Sequence, residues 1–119
     1  MTEKNKKEPL YFFIISDSAG ETASKLAQAT MAQYPTVEFE IFRRTFITTK
    51  EALIKALTDA KKCDAIILHT LINEELVTLA DHFCEASELF HFDVLTPPVL
   101  EVQRRTGMIT QREQVHLHH

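Results

Sequence analysis

Hydrophobic and polar positions along this chain follow two different rhythms. Leu10-Tyr11-Phe12-Phe13-Ile14-Ile15 is an unbroken apolar run, and Ala65-Ile66-Ile67-Leu68-His69 is nearly another. Neither alternates, which predicts strands buried on both faces of a parallel sheet. Val37-Glu38-Phe39-Glu40-Ile41-Phe42 alternates strictly, with Val37, Phe39 and Ile41 on one side and two glutamates on the other. A strand with one wet face belongs at a sheet edge. A short fourth strand is expected near Phe92-Asp93-Val94-Leu95, before Pro97-Pro98.

Between the strands the period becomes helical. Ala23, Leu26, Ala27, Thr30, Met31 and Tyr34 fall on one face of a first helix, which Pro35 should stop. Thr48-Thr49-Lys50-Glu51 has the pattern of a capping box, with Thr48 as cap and Glu51 three residues on. The helix behind it should bury Leu53, Ala56, Leu57 and Ala60 and turn Lys50, Lys55, Lys61 and Lys62 to water. Asn73, followed by Glu74 and Glu75, predicts the start of a third helix with Leu76, Val77, Ala80, Phe83 and Cys84 inside. Pro97-Pro98 can open a fourth over Val99 to Arg105, which Gly107 would end.

Strand alternating with helix implies right-handed crossovers and a parallel sheet. If strands one and three are central and strand two is an edge, the order is 2-1-3-4. The expected fold is thus an α/β domain of three layers, Rossmann-like, with an open parallel sheet and flanking helices. Winding reverses between strands one and three, and ligands of open α/β sheets bind outside the carboxyl ends of the strands at such a reversal. The loops meeting there are Ser16 to Thr22 and His69 to Asn73. The expected organisation is a disordered leader over 1–9, the α/β domain over 10–107, and the start of a linker over 108–119.

Length and charge narrow the partners. With 119 residues, 45% of them hydrophobic, one domain is expected. Net charge is −4, and the only basic block is Lys4-Asn5-Lys6-Lys7, so a nucleic-acid partner is not expected. No apolar run approaches the roughly 20 residues that cross a bilayer, so no membrane partner is expected either. The amino terminus lacks the pattern of a signal peptide, and Cys63 and Cys84 suit buried thiols in a reduced compartment; the cytoplasm is the expected location. The edge strand Val37 to Phe42 is the surface on which a homodimer would pair.

Candidate chemistry gathers on the expected rim. Ser18-Ala19-Gly20-Glu21 is itself a capping box; Gly20 allows close approach of an anion, and Ser16, Ser18 and Thr22 offer hydroxyls. Asp17 and Glu21 oppose an anion there. Arg43 and Arg44 lie just past the edge strand on the same rim; guanidinium forks suit phosphate or carboxylate, although paired arginines at a strand end are most often a solvated rim. His69 and Thr70 close a buried strand, and a histidine in that position is commonly a hydrogen-bonded core group. His82, His91 and Cys84 do not share a helical face, so no metal or other cofactor is expected; His116, His118 and His119 crowd the terminus. A receiver domain would need a phosphoacceptor aspartate where His69-Thr70 stands. A flavodoxin-type site would need aromatic loops that the chain lacks.

The stretch Ile15-Ser16-Asp17-Ser18-Ala19-Gly20-Glu21-Thr22-Ala23 resembles the amino-terminal signature of the bacterial pyruvate, phosphate dikinase regulatory proteins and their phosphoenolpyruvate synthase counterparts. Phe42-Arg43-Arg44-Thr45-Phe46, Leu68-His69-Thr70-Leu71-Ile72 and the segment from Asp93 through Pro97-Pro98 to Gly107 resemble further segments of that family. The resemblance implies a bifunctional serine/threonine kinase and phosphorylase. Such a protein phosphorylates a threonine of the dikinase with ADP as donor, and removes that phosphate with inorganic phosphate, releasing pyrophosphate. The family's nucleotide-holding loop lies downstream of the region matched here, and no Gly-x-x-x-x-Gly-Lys pattern occurs in this chain. An isolated chain without ADP-dependent activity is therefore expected. The competing expectation is a non-catalytic, anion- or partner-binding module of Rossmann or flavodoxin type.

Overall fold

A computed structural model describes residues 8–108. The leader expected over 1–9 and the linker expected over 108–119 lie almost wholly outside the described residues, as do His116, His118 and His119. The elements in order are β1 (Leu10–Ser16), α1 (Glu21–Met31), β2 (Phe39–Arg44), α2 (Lys50–Lys62), β3 (Ile66–Thr70), α3 (Glu74–Ala86), β4 (His91–Asp93) and α4 (Thr96–Thr106). All strand pairs are parallel and the sheet order is β2-β1-β3-β4, the expected topology.

Register explains why β1 reads as continuously apolar. Phe12 stands between Ile41 and Ile66, and Ile14 between Arg43 and Leu68, all on one face; Phe13, Ile15, Ile67 and His69 belong to the other. On the first face α1 seats Ala23 and Ala27, whose small side chains let the helix come close to Phe12 and Ile14. On the second, α2 brings Leu53, Ala56, Leu57 and Ala60, and α3 brings Leu76, Ala80 and Cys84. The Cys84 thiol lies in this core, where burial pushes its pKa up to about 11; half-buried Cys63 is also raised by burial.

Several expected boundaries move. α1 stops at Met31, and Tyr34 is 58% exposed after two turn hydrogen bonds, Gln33 N–H to the Thr30 carbonyl and Tyr34 N–H to that of Met31. The residue before a proline is disfavoured in the helical region, so the helix unwinds short of Pro35. Buried Ser24, rather than exposed Thr30, completes its inner face. Strand β2 omits Val37 and runs on through Arg43 and Arg44, because β1 offers ladder partners as far as Ile15.

Thr49, not Thr48, caps α2: its Oγ1 accepts the Ala52 N–H at 3.1 Å. Glu51 then falls one position early for a reciprocal box. Asn73 caps α3 as expected, accepting the Leu76 N–H at 3.1 Å. Asp93 turns the chain out of β4, accepting the N–H groups of Leu95 at 3.0 Å and Thr96 at 2.8 Å, so α4 starts earlier than expected. Gly107, with φ of 71°, ends it. None of the α4 residues is buried, and no helix among the described residues is long and apolar enough to cross a membrane.

Candidate functional site

At the carboxyl edge of the sheet the first loop is tied to both neighbours. Ser16, the last residue of β1, is fully buried, and its Oγ accepts both the Thr70 hydroxyl and the Ser18 N–H at 3.0 Å. With two bonds accepted, its own proton is free to meet the Ser18 hydroxyl, 3.3 Å away. The Asp17 carboxylate accepts the Ile72 N–H at 2.9 Å and so straps β1–α1 to β3–α3. On the other side, the N–H groups of Phe46 and Ile47 donate to the carbonyls of Ser18 at 3.0 Å and Ser16 at 2.9 Å. These bonds hold Phe46, 69% exposed, at φ of 55°, a left-handed conformation rare for a bulky residue.

Helix α1 starts from this sewn loop without a side-chain cap. The capping role expected of Ser18 is thus not realised, since its hydroxyl turns back to Ser16. Gly20 takes the cap position at φ of 77°, and a Cβ there would lie 3.1 Å from the Ile14 Cγ2 and 3.4 Å from the Thr45 Cγ2. Glycine is required twice, for the backbone sign and for the close seat of α1 on β1. The unclosed N-terminal turn leaves N–H groups and the positive end of the helix dipole at the rim. Ser18, Glu21 and Thr22 are exposed around it, and the Glu21 charge already complements the dipole.

The pleat separates the two arginines. Arg43 lies on the α1 face, and its Nε donates to the Oγ of Ser24 in the first turn of α1 at 3.1 Å; it makes no ion pair among the described residues. Arg44 lies on the opposite face, 3.7 Å from the Asp59 carboxylate and over the Phe13 ring at 5.0 Å. That is a structural berth, and Arg44 is not brought to the loop.

His69 also turns away from the hydroxyl cluster. Fully buried on the α2–α3 face, it accepts the Leu71 N–H on Nδ1 at 3.4 Å, while Nε2 has no hydrogen-bond partner among the described residues. Burial lowers its pKa, against the raising effect of nearby Asp93. The structure therefore brings together Ser16, Asp17, Ser18, Gly20, Thr70 and Arg43, with Glu21 and Thr22 on the rim, and leaves out Arg44 and the His69 ring. Ser24 has no signal in the sequence pattern; only the strand register, which sets Arg43 against α1, reveals it as part of the arrangement.

Among the described residues the buried Ser16–Thr70 hydroxyl pair has no base hydrogen-bonded to it, and His69 faces elsewhere. What remains is one guanidinium beside an open helix N-terminus, which can hold a phosphate or carboxylate. Among the described residues no group of three or more His, Cys, Asp or Glu side chains could hold a metal.

Comparison with known proteins identifies the family. A protein of Enterococcus faecalis V583 named as a pyruvate, phosphate dikinase regulatory protein is 59% identical over 107 residues, 90% of this chain and 39% of that protein. A similarly named protein of Latilactobacillus sakei 23K is 35% identical over 115 residues, 97% of this chain and 41% of its own length. One of Clostridioides difficile 630 is 37% identical over 105 residues, or 87% and 38%. The chain thus spans about two fifths of the curated relatives it matches. The family model described as kinase/pyrophosphorylase matches residues 12–119, and the chain belongs to that family.

Proposed function

We propose that this chain is the α/β portion of a cytoplasmic, bifunctional regulator that acts on pyruvate, phosphate dikinase. The whole regulator phosphorylates a target threonine with ADP as donor, and removes that phosphate with inorganic phosphate, releasing pyrophosphate. The family match over residues 12–119 carries this reading, and the names of the relatives support the dikinase over phosphoenolpyruvate synthase as target. The part described here contributes the rim, where Arg43 and the α1 N-terminus hold an anion, either a phosphate or the phosphorylated target segment. With Gly20 and Gly107 as its only glycines, this sequence has no phosphate loop, so ADP has to be held by the remainder of the longer protein.

Two measurements test this. This chain, mixed with phosphohistidine-form dikinase and ADP, is expected to transfer no phosphate to threonine; transfer would overturn the division of labour. In a titration with inorganic phosphate followed by amide NMR, shifts should centre on Ser18 to Thr22. Arg43→Ala should weaken binding about tenfold, the worth of one charge-assisted hydrogen bond, and Arg44→Ala should leave it unchanged. Equal affinity for all three proteins would remove the site.

A further inference from the structure

The α1 face of the sheet is only half covered. Beside α1 runs a groove of about 460 Å³ whose floor is Phe12, Ile66 and Leu68, with Leu26 and Thr30 of α1 along one wall and Phe90 and Phe92 along the other. Phe90 is 59% and Phe92 47% exposed. Among the described residues the opposite face carries two helices where this one carries α1 alone. Nor does α4 fill the gap, since none of its residues is buried.

The lining tells what kind of occupant fits. Its one polar side chain, Thr30, already donates its proton to the Leu26 carbonyl at 2.8 Å, so the groove presents no free side-chain donor and a single hydroxyl acceptor at its wall. A small-molecule site needs a few convergent polar groups to orient its ligand, and a single hydroxyl does not supply them. Phe12 and Leu68 are already buried at its base, so the open apolar surface is that of half-buried Ile66 with Phe90 and Phe92, beside α1, and it matches the footprint of a second helix packed alongside α1. A contiguous apolar patch of this kind marks a packing surface.

We propose that the groove is the seat of an apolar helix face supplied by the remainder of the longer regulator. The relatives at 38–41% coverage carry well over half their length outside the matched region, which is ample chain to supply it. A second copy of this chain fits less well. A two-fold contact sets a patch against itself, and two concave grooves face to face leave a void. The inference rests on the reading that this chain is part of a longer protein. It is read out as burial rather than phosphoryl transfer, so a different target or reaction would leave it standing.

The test compares this chain with the full-length E. faecalis relative. Each receives one cysteine, Thr30→Cys here and the aligned position there, in a background without other accessible thiols. Gln28→Cys, on the outer side of α1, serves as control. Maleimide labelling at position 30 should be rapid in this chain and at least about tenfold slower in the full-length protein, because a covered thiol reacts only through local opening. The control should label equally in both. Equal rates at position 30 would show the groove open in the longer protein and overturn the proposal. Slow labelling in this chain together with a dimer mass by light scattering would give the groove to a second copy, and would overturn it equally.

Discussion

The two faces of the sheet use strands of nearly the same apolar character, yet they are closed very differently. On the face covered by α2 and α3, fourteen buried residues form one cluster that runs from Phe13 through Leu57 to Leu89. On the α1 face the buried cluster is five residues, Phe12, Ile14, Ala23, Ala27 and Leu68, with Ile66 and Val94 only partly covered against it. Strand hydrophobicity therefore reports the covering that a sheet is built to receive, and on one face the described residues supply only part of it. The better-covered face holds the fold together, while the other carries both the rim residue Arg43, bonded to Ser24 of α1, and the groove.

The largest expected effect sets the two faces against each other directly. Leu57 is fully buried beneath α2, so Leu57→Ala should cost about 2–5 kcal/mol of unfolding free energy, through lost transfer energy and the cavity left behind. Phe92→Ala, at a residue that already keeps 47% of its surface in water, should cost less than about 1.5 kcal/mol despite removing a larger side chain. Urea unfolding of both variants measures the contrast. Similar losses would mean that the groove is already covered in this chain.

Helix starts sharpen the same contrast at smaller cost. The two helices of the well-covered face are closed by their own residues, Thr49 for α2 and Asn73 for α3, and truncating either cap to alanine should cost about 1 kcal/mol. Ser18→Ala should cost less than about 0.5 kcal/mol, because α1 has no side-chain cap and the Ser18 hydroxyl reaches Ser16 only at 3.3 Å. Thermal melts of the three variants rank them. A loss at Ser18 equal to that at Asn73 would restore the capping role that the sequence pattern assigns to Ser18, and would weaken the case for an open N-terminus.

These examples mark what the chain discloses before it is folded. Strand order was legible because burial on one or both faces is written in the period: Val37 to Phe42 alternates and sits at an edge, while the runs at Leu10 and Ala65 do not and sit in the centre. The position of the rim followed from that order. Caps were legible only to within a residue, since Thr48 and Thr49 are chemically alike and only the backbone decides between them. The Ser18-Ala19-Gly20-Glu21 pattern misleads for a different reason: a left-handed Gly20 resets where the helix begins. Arg43 and Arg44 look equivalent in one dimension, and the pleat puts them on opposite faces. The half-empty α1 face was not legible, because the same strand pattern serves whether its cover comes from this chain or from another segment.

The smallest expected effect belongs to His69, a titratable group sealed into the well-covered face. Its neighbours pull in both directions: burial and His91 lower its pKa, whereas Asp93 and Asp81 raise it, and burial prevails. In the unfolded chain His69 should titrate near its ordinary value of 6.5. Because the folded value lies below that, the unfolded state takes up the proton first as pH falls. The contribution of His69 to stability is thus fully present above pH 6.5 and is lost as pH drops through the folded pKa. Urea unfolding at intervals below pH 6.5 should show stability declining before most carboxylates begin to titrate. His69→Gln should remove that early decline while lowering stability at neutral pH, since glutamine fills the site imperfectly. An unchanged slope in the variant would assign the proton to a group outside this face, and would deny that two covering helices isolate His69 from water.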